Sequence, residues 1–197
     1  KRKSNMSKYD IIVIGGGHNN AYPIMKALSE QYPELHILNI DPHADCRPLE
    51  GRHSGNPFST AIIEETIASY TVLGLHEQYN SKATFDFLEE NNCDITFYEN
   101  YLDGRSLNDD LKKFAKRKGQ CFGLEIDLDS IAGMPTSAFT PSGFSLKKIR
   151  KSVRVLGSSN PIYLHLPEGA PKTNEEKSIV GKALSYLVTD FIKSSTK

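Results

Sequence analysis

Leu35-His36-Ile37-Leu38-Asn39-Ile40-Asp41-Pro42-His43-Ala44-Asp45 joins an apolar segment to a run of alternating polar residues. Leu35 to Ile40 is a predominantly apolar run of strand rather than helix length, and it stops abruptly at Asp41-Pro42. In extended chain, Asp41, His43 and Asp45 alternate and point to the same side. Two carboxylates and an imidazole then converge, a donor mixture suited to Mn²⁺, Fe²⁺ or Zn²⁺ rather than Ca²⁺.

Working outward, the same pattern of strand, polar end and helix recurs. Upstream, Ile11-Ile12-Val13-Ile14 closes on Gly15-Gly16-Gly17, a buried strand ending in a tight turn. Ala21 to Glu30 then has helical spacing through Tyr22, Met25 and Leu28, with Pro23 tolerated in the first turn. Downstream, helices are predicted over 57–69, 81–91, 107–117, 146–156 and 178–193, and strands over 71–75, 94–98, 120–126 and 161–166. Residues 133–143 read as a Pro/Ser/Thr loop. Strands alternating with helices of this length imply a mostly parallel sheet covered on both faces, a three-layer αβα sandwich. Residues 1–10 form a polar lead, and 11–197 a single α/β domain. Ligands of such sheets bind outside the carboxyl ends of the strands, so polar residues just past an apolar strand are the functional candidates.

The composition narrows the classes of partner. Twenty-four basic residues balance twenty-four acidic ones, leaving no overall positive field to attract nucleic acid or an anionic membrane. Cys46, Cys93 and Cys121 are odd in number and widely spaced, which argues against a disulfide framework or a structural zinc cluster and suits a reducing compartment. No signal core precedes Asp10, and no apolar stretch approaches the ~20 residues of a membrane span. The expectation is a cytoplasmic protein acting on a small molecule.

Asp127-Leu128-Asp129 repeats the alternate-carboxylate device after the predicted strand 120–126, and His18 follows the triple glycine after the first strand. Four carboxylates at neighbouring strand ends would repel, and a divalent ion resolves the conflict. One ion could not use them all. Two ions bridged by carboxylates could, and would acidify a shared water toward neutral pH. The Gly-Gly-Gly-His turn lacks both the spaced glycines of a dinucleotide fingerprint and the Lys-Ser/Thr of a P-loop.

In this order, Gly15 to His18, Asp41 to Asp45 and Asp127 to Asp129 resemble the ureohydrolases, the family of arginase, agmatinase and formimidoylglutamase. The likeness runs from about residue 11 to 192 and implies an arginase-like sheet with two Mn²⁺ per chain. By resemblance, Asp41 and Asp127 bridge both ions, His18 and Asp45 complete one site, and His43 and Asp129 complete the other. Asp45 also has a catalytic part, accepting a hydrogen bond from the bridging nucleophile. Glu168, in Leu164-His165-Leu166-Pro167-Glu168, matches the family's acid that contacts the amidine or guanidine. Homo-oligomers are usual in the family. Relatives also have further strands ahead of the Gly-Gly-x-His turn, so this sheet is expected to lack N-terminal strands.

The loop Arg52-His53-Ser54-Gly55-Asn56-Pro57-Phe58 bears on the substrate. Arginases and agmatinases place a shuttle histidine directly before this glycine. Here Ser54 occupies that column and His53, the candidate shuttle, lies one residue earlier. The Ser-Gly-Thr-Pro-Phe loop of formimidoylglutamases is closer, which makes Ser54 and Asn56 candidates for substrate contact, and Gly17 in place of the arginase Asp leans the same way. Arg47 and Arg52 would suit a substrate with two carboxylates, as N-formimidoyl-L-glutamate has. Glu125, where many relatives have Ser, shares a face with Asp127 and Asp129 and reads as an acid that supports or orients a ligand. The expected reaction is hydrolysis of a linear amidine C=N bond to L-glutamate and formamide. The alternatives are guanidine hydrolysis by an arginase or agmatinase, and a catalytically silent metal-binding relative. A deacetylase of the same general fold would present a tandem histidine pair, and the sequence has none.

Overall fold

A computed structural model of the chain describes residues 11–119 and 121–195. The polar lead 1–10 and Gln120, the expected first residue of a strand, lie outside the described residues. Six strands, β1 (Ile11–Ile14), β2 (His36–Ile40), β3 (Ser69–Leu75), β4 (Asp94–Phe97), β5 (Phe122–Ile126) and β6 (Tyr163–Leu166), form one sheet in the order β1-β6-β5-β2-β3-β4. Every pair in it is parallel. The helices are α1 (Ala21–Ser29), α2 (Pro57–Ile63), α3 (Lys82–Glu90), α4 (Tyr98–Leu102), α5 (Leu107–Lys118), α6 (Leu146–Gly157) and α7 (Asn174–Ser195).

Pleating divides each strand between two cores. Ile37, Tyr70, Val72 and Tyr163 pack with Met25 of α1, Phe58 of α2 and Leu88 of α3. Leu38, Ile40, Leu73, Leu124 and Leu164 face the other way, against Leu111 of α5, Val153 of α6 and Leu187 of α7. The expected αβα sandwich is therefore present. Each such side chain taken fully out of water contributes about 1.5–3 kcal/mol, so both faces together hold the register of the central strands.

Two helix boundaries differ from the periodicity. The helix predicted over 57–69 ends at Ile63, because Glu65 turns left-handed (φ 53°) and Thr66 N–H returns to the Ala61 carbonyl at 2.9 Å. Glycine usually takes that position, so nothing marked the stop. Conversely α7 begins at Asn174, ahead of the apolar pattern, because Thr173 and Glu176 form a reciprocal capping box: Glu176 N–H donates to Thr173 Oγ1 at 3.1 Å and Thr173 N–H to Glu176 Oε2 at 3.0 Å.

The chain lays β3 and β4 to one side of β2, then returns to place β5 and β6 on the other. The order reverses between β2 and β5, and that switch point opens a crevice at their carboxyl ends. Asp127 N–H donates to the Ile40 carbonyl at 3.1 Å, which carries the β2–β5 pairing one step past the strands and sets Asp127 beside Asp41.

Candidate metal centre

The residues after β1, β2 and β5 meet at this switch point. His18, in the short turn His18–Asn20, is fully buried, and its Nδ1 lies 2.9 Å from Asp45 Oδ2, 2.9 Å from Asp127 Oδ2 and 3.2 Å from Asp41 Oδ2. Asp41 faces two ways: its other oxygen is 3.5 Å from His43 Nδ1, which is itself 3.7 Å from Asp129 Oδ2. All six expected ligands are thus gathered, four of them in a tight group around His18 and two beside Asp41.

Local backbone geometry shapes the cluster. The strand ends at Ile40, so Asp41 to Asp45 converge from a loop rather than from the pleat as expected. Asp45 adopts a left-handed conformation (φ 48°) that turns its carboxylate back to His18. Asn80, just past β3, holds the loop: its Oδ1 accepts Ala44 N–H at 2.9 Å and its Nδ2 donates to the Pro42 carbonyl at 3.0 Å. Asp41 Oδ1 accepts His43 N–H at 2.7 Å, and Asp127 Oδ1 accepts Asp129 N–H at 2.7 Å, so the two motifs form the same local turn.

The electrostatics of the group call for a cation. Burial first, and the Asp41 charge second, push Asp127 and Asp45 above the ordinary carboxylate range. Asp129 is pushed up to about 6, chiefly by burial. Burial would also raise Asp41, but the His18 and His43 rings beside it hold it low. Burial would keep His18 neutral, yet the carboxylates of Asp127, Asp41, Asp45 and Glu125 raise it well above the usual histidine value, and His43 rises to about 9 by the same competition, with Asp41 leading. Neither ring nitrogen of His18 makes an aligned hydrogen bond despite full burial. A buried imidazole without an aligned hydrogen bond, set among crowded carboxylates, is a donor set that a divalent ion satisfies, and one ligand atom each from His18, Asp41, Asp45 and Asp127 lies within 4.8 Å of the others.

Metal uptake is therefore expected to release protons, because ligands must be deprotonated to coordinate. Asp129 near 6 and His43 near 9 define the window: apparent Mn²⁺ affinity rises with pH from below 6 toward 9, with at least one proton released at pH 7. Calorimetry in two buffers of different ionisation enthalpy measures this, and binding without proton release at pH 7 contradicts it.

Over the cluster opens a cleft of about 420 Å³ lined by His43, Asp45, Asp127, Asp129, Glu168 and Arg47, together with His53 and Ser54. Glu168 follows β6 in a left-handed conformation (φ 68°). Its carboxylate accepts His18 N–H at 2.6 Å and the Ser137 hydroxyl, which aims it into the cleft. Arg47 lies over Gly55, where a Cβ would meet the Arg47 side chain at 2.9 Å. His53 accepts Gly55 N–H on Nδ1 at 3.1 Å, leaving Nε2 outward, 3.9 Å from Glu50.

Two candidates are placed differently. Asn56 is buried and employed within its own loop: Nδ2 donates to the Pro48 and Gly51 carbonyls at 3.2 and 2.6 Å, and Oδ1 accepts His53 N–H at 3.2 Å. Arg52 lies with Asn56 in an adjacent hollow, its guanidinium 3.4 Å from the Asn19 carbonyl, and does not line the cleft. Several lining residues were not among the candidates, Tyr79, Asn80 and Ser137 among them. Tyr79, stacked on His43 (ring centroids 5.5 Å apart), and Asn80 both follow a strand end and so obey the rule that found the others. Ser137 sits mid-loop, without a local signal.

The comparisons with known proteins agree with this geometry. The arginase family model matches residues 2–192. The formimidoylglutamase of Macrococcus caseolyticus is 29% identical over 190 residues, covering 90% of this chain and 59% of that protein, and the one from Geobacillus thermodenitrificans is 30% identical over 187 residues, with 90% and 58% covered. Among solved structures, formimidoylglutamase from Bacillus subtilis superposes with a TM-score of 0.84 at 19% identity, over 94% of this chain and 60% of that one. A Trypanosoma cruzi formiminoglutamase solved with Mn²⁺ gives 0.81 at 19% identity, over 92% and 63%. The chain thus spans about three-fifths of the length of these proteins. With the family model matched from end to end of the sheet and the strand-end carboxylates and imidazoles gathered at its switch point, the chain belongs to the arginase family.

Proposed function

We propose that the protein hydrolyses the C=N bond of a linear amidine, with N-formimidoyl-L-glutamate as substrate and L-glutamate and formamide as products, at a centre of two Mn²⁺. The observation that carries this reading is the convergence of His18, Asp41, His43, Asp45, Asp127 and Asp129 at the floor of one cleft whose wall presents Glu168 and Arg47. His18 and Asp45 would hold one ion, His43 and Asp129 the other, with Asp41 and Asp127 shared. Bound there, the ions supply an acidified water as nucleophile and charge stabilisation for the addition step.

The chain's own residues supply the rest. Glu168, fixed by His18 N–H and Ser137, presents an acceptor carboxylate to the amidinium, a planar two-donor cation that suits bidentate pairing. His53, with Nδ1 occupied by Gly55 N–H, offers Nε2 for proton transfer near the cleft. Arg47 meets a substrate carboxylate. Arg47→Met is expected to raise KM for formimidoylglutamate roughly 10–100-fold, the loss of one charge-assisted hydrogen bond, with kcat changed by less than about threefold. Steady-state kinetics decide it: an unchanged KM removes Arg47 from substrate recognition.

The name of the curated relatives favours the amidine over a guanidine, as does Ser54 ahead of Gly55. Assays of the Mn²⁺-loaded protein with formimidoylglutamate, arginine and agmatine test the choice. Formamide release from the first is expected, and hydrolysis of the guanidines alone overturns it.

A further inference from the structure

One pleat below the strand-end carboxylates, the face of the sheet toward α1 and α2 turns polar where a core would ordinarily be apolar. Asn39 on β2, Glu125 on β5 and His165 on β6 are register partners on three adjacent strands, and none is exposed to solvent. A carboxylate at that depth is costly unless its charge is met by hydrogen bonds. Glu125 is supplied with them: Oε1 accepts the Tyr163 hydroxyl at 2.6 Å, and Oε2 accepts Nδ1–H of His165 at 2.6 Å.

Gly123 makes the first of these bonds possible. It is the register partner of Tyr163, and a Cβ there would lie 2.1 Å from the tyrosine ring. With no side chain at 123, the ring lies across β5 and its hydroxyl reaches the carboxylate two residues on. Gly123, Tyr163 and His165 are thus all committed to the placement of a single carboxylate.

That carboxylate points at a metal-ligand candidate. Glu125 Oε2 is 3.3 Å from Nε2 of His18, whose other nitrogen, Nδ1, faces Asp41, Asp45 and Asp127. A ligating imidazole gives its lone pair from one nitrogen and carries its proton on the other. With Nδ1 aimed at the carboxylates, the proton belongs on Nε2, and the Glu125 carboxylate at 3.3 Å is the acceptor within reach of it. Phe58 packs edge-on to the His18 ring at 5.1 Å and blocks its sideways motion.

We propose that Glu125 is a positioning residue that fixes the tautomer and orientation of His18, so that Nδ1 is presented to the metal centre, while Tyr163 and His165 hold the carboxylate in place. The inference rests on the reading of the cluster as a metal centre. Asn39 stands in the same relation to Asp41, donating to its Oδ2 at 3.0 Å, so the polar row supports ligands on two strands.

The test compares wild type, Glu125→Gln and Tyr163→Phe. Mn²⁺ is titrated calorimetrically into metal-free protein, bound metal is counted by elemental analysis, and the His18 ring nitrogens are observed by ¹⁵N NMR in the diamagnetic Zn²⁺-loaded form. Two ions are expected in wild type, with the His18 proton on Nε2. Glu125→Gln should weaken one binding step by about 10–100-fold and leave the other unchanged. Tyr163→Phe, which removes one hydrogen bond to the carboxylate, should weaken that same step by roughly 2–10-fold, and it carries the test alone if the Gln variant does not fold. Unaltered stepwise affinities in the folded variants, or a His18 proton on Nδ1, overturn the proposal. So does a third ion lost with Glu125, because His18, Glu125 and His165 would then themselves be ligands. If wild type binds no divalent ion, the metal-centre reading falls as well. If wild type binds two and the variants bind both equally, the positioning role alone falls.

Discussion

Asp127→Asn is expected to lower kcat/KM on formimidoylglutamate by on the order of 10³-fold, the several kcal/mol that metal activation contributes, and to reduce bound Mn²⁺ below two per chain. Asp127 is buried and its Oδ2 lies 2.9 Å from His18 Nδ1, within the group that Asp41 and Asp45 complete. The change is nearly isosteric. The Asn side-chain oxygen can still accept the Asp129 N–H that Asp127 now accepts at 2.7 Å, and the backbone bond from residue 127 to the Ile40 carbonyl is untouched. Loss of activity would then report on the ions rather than on the fold. Stability should move in opposite directions in the two states. Without metal, Asp127 is raised far above its ordinary range, first by burial and then by Asp41, which means that its charge destabilises the folded chain near neutral pH. The amide should therefore unfold at a higher temperature than wild type in chelator and at a lower one in Mn²⁺. A variant retaining two ions and full turnover would exclude Asp127 from the centre.

Glu168→Gln tests the other wall of the cleft. Here kcat/KM should fall roughly 10²–10³-fold, the effect of removing one preorganised electrostatic contact, while two Mn²⁺ stay bound. Glu168 lines the cleft but is not among the residues clustered around His18 Nδ1, and its contact with His18 is through that residue's backbone N–H. Gln keeps one acceptor for that N–H and loses the charge that would meet an amidinium. Metal counting alongside kinetics separates the roles: loss of an ion would make Glu168 a support of the centre, and undiminished turnover would remove it from substrate binding.

The clustered donors were legible as candidates because each motif is local. Asp41-Pro42-His43-Ala44-Asp45, Asp127-Leu128-Asp129 and Gly17-His18 each follow an apolar strand, and an open parallel sheet places such residues on one edge. The loop residues read less well. Arg52 and Asn56 share a short segment with Ser54 and His53, yet the first two face an adjacent hollow and the loop's own carbonyls while the others line the cleft. Spacing cannot resolve this, since in a loop the direction of each side chain is set by turn geometry and by which backbone groups need partners.

The αβ alternation, the two-faced sheet and the strand-end donors are written in neighbouring residues, because hydrophobic periodicity and strand punctuation are properties of adjacent positions. The order β1-β6-β5-β2-β3-β4, which makes neighbours of β2 and β5 and so brings Asp41 to Asp127, is set by long-range packing. The same packing sets the left-handed turn of Asp45, the hollow that receives Arg52, and the register that seats Glu125 against His165 beneath His18. Those features join residues remote in sequence, and they follow from how whole strands and helices bury their faces together, a cooperative choice that no single stretch of chain records.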